Sequence, residues 1–184
     1  MIISISGMPG AGKSTVAKML SKKLGMKRYY IGGMRRELAR KKGMDIDRLN
    51  EIGEKESWTD KEVDDYQKEL GKNEDNFIIE GRTSFFLIPQ SLKVFLDVDL
   101  HTGAQRIFED VKKNAERNEP VYGSVAEAEA AVRKRMEGDK RRYKKYYGVD
   151  IYDRSHYDIV IDTTSMTPEE VAGRILSVLK HRGK

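Results

Sequence analysis

The run Gly7-Met8-Pro9-Gly10-Ala11-Gly12-Lys13-Ser14 has the full G-x-x-x-x-G-K-[ST] spacing and stands directly after the apolar stretch Ile2-Ile3-Ser4-Ile5. Each residue type has a task in holding a polyphosphate. Glycines let the backbone curl so that its N–H groups face the phosphates, and the helix predicted by Thr15-Val16-Ala17-Lys18-Met19-Leu20 adds partial positive charge at its N-terminus. Lys13 supplies a point charge for the terminal phosphates, and Ser14 supplies a hydroxyl ligand for Mg²⁺. The spacing predicts a nucleoside triphosphate site over Gly7–Thr15, with ATP as phosphoryl donor and Mg²⁺ as cofactor.

Phosphoryl transfer sets two polyanions end to end, so a phosphate loop alone is insufficient and further guanidinium groups are required. Arg36 follows a predicted second strand. Arg82 follows Phe77-Ile78-Ile79-Glu80-Gly81, where Glu80, acidic at the end of an apolar strand, could orient Mg²⁺-bound water. Arg135, Asp139 and Arg142 stand at i, i+4 and i+7, which puts them on one helical face with the carboxylate available to hold the guanidiniums.

The elements that must position these groups follow from the apolar pattern. Short apolar runs at 2–5, 77–79, 94–98 and 159–161, with a fifth strand near Lys27–Ile31, alternate with amphipathic helical stretches. That alternation predicts a three-layer α/β/α fold of the P-loop NTPase type around a central parallel five-stranded sheet. Ligands bind beyond the carboxyl ends of such strands, which brings Gly7–Ser14, Gly32–Arg36, Glu80–Arg82 and Asp162–Ser165 to one edge. Residues 34–71 read as a small helical acceptor-binding subdomain. Residues 101–147 read as long helices interrupted at Asn118-Glu119-Pro120 and Tyr122-Gly123, with a lid over about 112–142. Thr167-Pro168-Glu169-Glu170 opens the last helix, with Thr167 as N-cap. The whole chain of 184 residues is expected to be one domain.

The net charge of +5 suits a protein that handles polyanions, but 35 basic residues are interleaved with 30 acidic ones, so no long basic tract asks for nucleic acid. Cysteine is absent, which removes disulfides, thiolate zinc sites and a cysteine nucleophile. No apolar run approaches 18 residues and no leader precedes the first strand, so a cytoplasmic protein with no membrane partner is expected.

With these residues in view, the chain resembles the cytidylate kinase branch of the P-loop nucleoside monophosphate kinases, in its short archaeal-type form. The resemblance covers most of the chain and rests on the phosphate loop, Gly32-Gly33-Met34-Arg35-Arg36-Glu37-Leu38-Ala39, Glu80-Gly81-Arg82, and Arg135-x-x-x-Asp139-x-x-Arg142. Its most family-specific parts are Arg142-Tyr143-Lys144-Lys145-Tyr146-Tyr147-Gly148-Val149-Asp150 and Tyr157-Asp158-Ile159-Val160-Ile161-Asp162-Thr163. It implies transfer of the ATP γ-phosphoryl to CMP or dCMP, by a chain expected to act as a monomer. Arg36 and Arg82 would grip the acceptor phosphate, Arg135 and Arg142 would close from the lid, Asp64 and Gln67 would face the base or sugar, and Arg106 would lie near the donor nucleotide. Three departures bear on the base rather than the phosphates. Ile31 stands where bacterial relatives carry a base-reading serine, Thr83 replaces an aspartate, and Lys112–Tyr122 is longer than in short relatives.

His101, His156 and His181 are far apart and lack ligand spacing. Tyr143, Tyr146 and Tyr147 suit packing better than base stacking, Trp58 could either pack or touch substrate, and the basic run Lys140–Lys145 reads as a solvated helix face. Adenylate kinase or another small-molecule kinase remains an alternative, since the loop identifies only the donor. An RNA-associated ATPase switch is the alternative of another class.

Overall fold

The computed structural model describes residues 1–113 and 119–182. In chain order it runs β1 (Ile2–Gly7), α1 (Lys13–Leu24), β2 (Lys27–Tyr30), α2 (Ile31–Lys41), α3 (Ile46–Lys55), α4 (Trp58–Asn73), β3 (Phe77–Glu80) and α5 (Ser84–Leu87). It continues through β4 (Leu92–Asp97), α6 (Leu100–Val111), α7 (Val125–Tyr147), β5 (Ile159–Asp162) and α8 (Pro168–Arg182). The strands form one parallel sheet in the order β2-β3-β1-β4-β5, as the alternation of elements predicts.

Successive residues on each strand enter cores on opposite faces. Ile3, Ile5, Ile78, Val94 and Leu96 pack with Val16 and Leu20 of α1 and Val171 and Ile175 of α8. Their neighbours Ile2, Phe77 and Ile79 instead meet Val63 and Leu70 of α4. Phe95 joins Phe85, Tyr143 and Tyr157, so the C-terminal part of α7 is pinned to the second face. Both faces are thereby covered, and the active edge is left to the loops.

Local signals set the helix ends. Thr167 and Glu170 form a capping box, Glu170 N donating to Thr167 Oγ1 at 3.3 Å and Thr167 N to Glu170 Oε2 at 2.8 Å. Ser124 caps α7, accepting from Glu127 N at 3.2 Å. One boundary differs from the sequence reading: Ile31 is the first residue of α2 rather than the last of β2, and Gly32–Arg36 is a helical turn rather than a loop. The glycine pair explains it. A Cβ at Gly33 would lie 2.6 Å from Tyr30 Cδ1, so only glycine lets the Tyr30 ring fold back over the new helix. The three helices α2, α3 and α4 make up the helical segment expected over 34–71. Of the stretch expected as a lid, 114–118 lies outside the described residues.

Candidate active site

Gly7 has φ 144°, and a Cβ there would collide with the carbonyl of Leu96. Gly10 and Gly12 have φ 79° and 80°, so this sharp turn needs glycine for conformation as well as space. Lys13 Nζ donates to the carbonyls of Gly7 and Met8 at 2.9 and 2.6 Å, folding its ammonium over the loop. Beside the loop opens a cleft of about 430 Å³. Pro9 to Thr15 line it together with Arg36, Asp64, Glu80, Arg82, Arg106 and Arg135. Six separate segments thus bring predicted residues to one cavity.

The arginines are held by carboxylates. Glu119 Oε1 accepts from Arg36 at 3.0 Å and from Arg135 at 3.1 Å, and the Glu119 side chain is 1% exposed. Arg36 also donates to Tyr30 Oη at 2.6 Å. Burial pushes the Arg36 guanidinium below its ordinary pKa. Burial works against Arg135 too, but the charges of Glu119, Asp139 and Asp47 outweigh it and hold that group above its ordinary value. Arg82 pairs with Asp139 at 2.8 Å. On the donor side, Arg106 binds the carbonyls of Thr163 and Thr164 at 3.0 and 3.1 Å, which ties α6 to the loop after β5.

Gly7 and Met8 lie behind the lining, and of the predicted residues beyond the loop two lie off the cleft wall. Arg142 is 1% exposed and engaged by Asp139 at 2.9 Å, Tyr143 Oη at 2.7 Å and Asn50 at 3.2 Å, so its guanidinium braces α7 against α3 and α4 instead of entering the cavity. The face prediction for α7 holds for Asp139 with Arg142, whereas Arg135 turns to Glu119. Gln67 is fully buried. Its amide donates to Asp64 at 2.9 Å and to Thr83 Oγ1 at 3.3 Å and accepts from Ser84 Oγ at 2.6 Å, so it reaches the cleft through Asp64 and Thr83.

Asp64 itself lines the cleft, bonded by Thr83 Oγ1 at 3.1 Å and by Tyr147 Oη. Burial raises its carboxyl to about 6, against hydrogen bonds from Tyr147 and Thr83 that lower it. Trp58 lies outside the cleft lining, its Nε1 donating to Glu56 at 2.6 Å with Lys42 over its ring. His101, His156 and His181 contact Glu129, Phe85 and the Ser177 carbonyl and are likewise outside it.

Glu80 fits a role in orienting cation-bound water. Its side chain is 2% exposed, Oε1 is tied to Arg28, and Oε2 is buried without a hydrogen-bond partner among the described residues. Burial raises its pKa, while Arg28, Ser14 and Lys13 favour its charge. A buried carboxylate oxygen left unpaired beside the Ser14 hydroxyl suits Mg²⁺-bound water. Among the described residues no cluster of three His, Cys, Asp or Glu could hold a metal alone.

Sequence reasoning missed Arg28, Tyr30, Arg35, Asp60 and Glu119. Arg35 is buried on the cleft wall, ion-paired to Asp60 and bonded to Asn50 at 3.1 Å. An arginine beside Arg36 and a charged residue inside a short strand were the available signals.

The model of the cytidylate kinase-like family matches residues 2–165. The chain belongs to that family. It is similar to "Cytidylate kinase" of Methanobrevibacter smithii, at 36% identity over 98% of this chain and 99% of that one. It is also similar to "Cytidylate kinase" of Sulfolobus acidocaldarius, at 38% identity over 99% and 96%. Among solved structures, shikimate kinase from Acinetobacter baumannii in complex with shikimate matches with a TM-score of 0.63 at 20% identity, covering 98% of this chain and 93% of that one. The last likeness shows the α/β phosphate-loop kinase fold alone. Family membership and the phosphate loop agree on an enzyme. No helix among the described residues is long and apolar enough to cross a membrane.

Proposed function

We propose that this chain transfers the γ-phosphoryl of ATP to CMP or dCMP, giving ADP and CDP or dCDP. The observation that carries this reading is the convergence of Arg36, Arg82 and Arg135, from three segments, on the cleft that the phosphate loop opens into. Two of them already share a carboxylate, which marks a place built for an anion. The relatives named cytidylate kinase make cytidine monophosphate the acceptor of choice.

Each residue then has a role. The loop from Gly7 to Thr15 cradles the donor phosphates, and Lys13 follows the terminal phosphoryl. Arg36 and Arg82 hold the acceptor phosphate in line, and Arg135 neutralises charge on the group in flight. Positioning and charge neutralisation supply most of the acceleration in such transfers, so no general base is assigned. Ser14 directly and Glu80 through water would hold Mg²⁺, which when bound offsets the charge of the donor phosphates. Arg106 braces the donor side. Asp64 offers an acceptor to the cytosine 4-amino group, where uracil carries a carbonyl, and Gln67 and Thr83 hold that carboxyl in place. Arg142 is read as a brace rather than a phosphate ligand, and the described part of the 112–142 segment as the wall that excludes water.

Arg36→Ala and Arg82→Ala test the reading. Each is expected to raise the CMP KM and lower kcat while ATP affinity stays unchanged, since charge-assisted guanidinium contacts to the monophosphate are lost. Unchanged CMP affinity with weakened ATP binding in both variants would refute the acceptor side of the assignment.

A further inference from the structure

Arg28 stands on β2, in register with Ile78 of β3. Parallel strands place the residue two further along, Glu80, diagonally across on the same face, within reach of a long side chain. Arg28 Nη2 uses that reach to bind Glu80 Oε1. Its guanidinium carbon lies 5.0 Å from the centroid of the Tyr30 ring, and Arg36 lies 5.9 Å from the same ring. Tyr30 is itself held over the first turn of α2 by the Gly32–Gly33 pair. The cation is therefore clamped between a fixed ring and a buried carboxylate. It does not line the cleft.

We infer that Arg28 is a positioning residue for the metal side of the reaction, tying one oxygen of Glu80 back to the sheet so that the other is presented to the phosphate loop. A carboxylate held at one oxygen cannot turn about its last torsion, whereas an untied one can present either oxygen or neither. Partners of direct ligands typically change metal affinity by about 10–100-fold when removed, and because Glu80 acts through water the effect of Arg28 belongs at the lower end. Arginine suits the task because its planar fork fixes orientation as well as charge; lysine supplies only a point charge. The unpartnered Glu80 Oε2 is what the arrangement leaves available.

This inference rests on the reading of Glu80 as a carboxylate that holds Mg²⁺-bound water, and the test separates the two. Mn²⁺ binding to the enzyme–ADP complex is titrated by electron paramagnetic resonance for the parent, Arg28→Met, Arg28→Lys, Glu80→Gln and the double variant, with CMP binding and melting temperature measured alongside. Arg28→Met is expected to weaken Mn²⁺ about tenfold and Arg28→Lys less, with CMP affinity retained. In the Glu80→Gln background, Arg28→Met is expected to add nothing, because both act through one carboxylate. Should Arg28→Met fold poorly, the double variant removes the unpaired buried charge, and Arg28→Lys alone still reads the metal. An Mn²⁺ affinity indifferent to Arg28 but sensitive to Glu80 would overturn the inference alone. Indifference to Glu80→Gln would overturn the reading beneath it. A parallel loss of Mn²⁺, ADP and CMP binding that lysine does not rescue would reduce Arg28 to a structural residue.

Discussion

Asp64 carries the most telling single ionisation in the cleft. Its carboxyl is 4% exposed and raised from 3.8 to about 6, chiefly by burial. Because the folded value lies above the unfolded one, the native state binds the proton more tightly, so stability declines as pH rises from about 4 to about 6. Above that window the ionised group costs on the order of 3 kcal/mol. Asp64→Asn removes the titration. The melting temperature of Asp64→Asn relative to the parent should therefore climb between pH 4 and pH 7 and level off beyond it. A difference that does not vary with pH would mean that Asp64 titrates normally. The same substitution should narrow the preference for CMP over UMP, measured as kcat/KM. Lys13→Ala belongs to this scale as well: turnover should fall by orders of magnitude while ATP still binds through the loop N–H groups, and near-parental turnover would contradict the role given to Lys13.

At the scale of elements, α7 does more than carry Arg135 to the cleft. Lys134 and Arg141 reach Glu51 and Glu54 of α3 at 2.9 Å each, while Asp139, 1% exposed, joins Arg82 and Arg142 and accepts from Tyr152 Oη at 3.2 Å. Asp139→Ala would take a carboxylate partner from the buried Arg142 and from the half-buried Arg82, and removing one partner of a buried pair costs roughly 3–5 kcal/mol. Chemical denaturation should report a loss of that size together with a raised CMP KM, because Arg82 loses its anchor. A loss below about 1 kcal/mol, the range of an exposed pair, would contradict the buried network. The sequence made Asp139 and Arg142 legible through helical spacing, and the phosphate loop and sheet through period and motif. It could not reveal that Arg142 points into protein, because i+7 spacing fixes a face of α7 but not what packs on it. Glu119 was equally hidden: it pairs with Arg36 from 83 residues away, and no local pattern encodes such a contact. Arg28 escaped because a charge in a four-residue strand reads as an edge residue until the register with β3 is known.

Across the whole molecule, the sheet carries the phosphate loop, while α2, α4 and α7, which also pack on its second face, bring Arg36, Asp64 and Arg135 to the same cleft. Ion pairs between α3 and α7 should tighten when both nucleotides are present. Hydrogen exchange should slow in residues 46–55 and 125–142 with a bisubstrate analogue, and exchange unchanged by the analogue would argue for a static cleft. The central claim is the choice of acceptor. Initial rates with MgATP and, side by side, CMP, dCMP, UMP and AMP test it most directly. The account predicts that CMP and dCMP exceed UMP and AMP in kcat/KM by at least about tenfold, as expected when a site that hydrogen-bonds its substrate leaves polar groups unpaired with an analogue. Equal use of all four, a preference for AMP, or ATP hydrolysis that ignores the acceptor would contradict it.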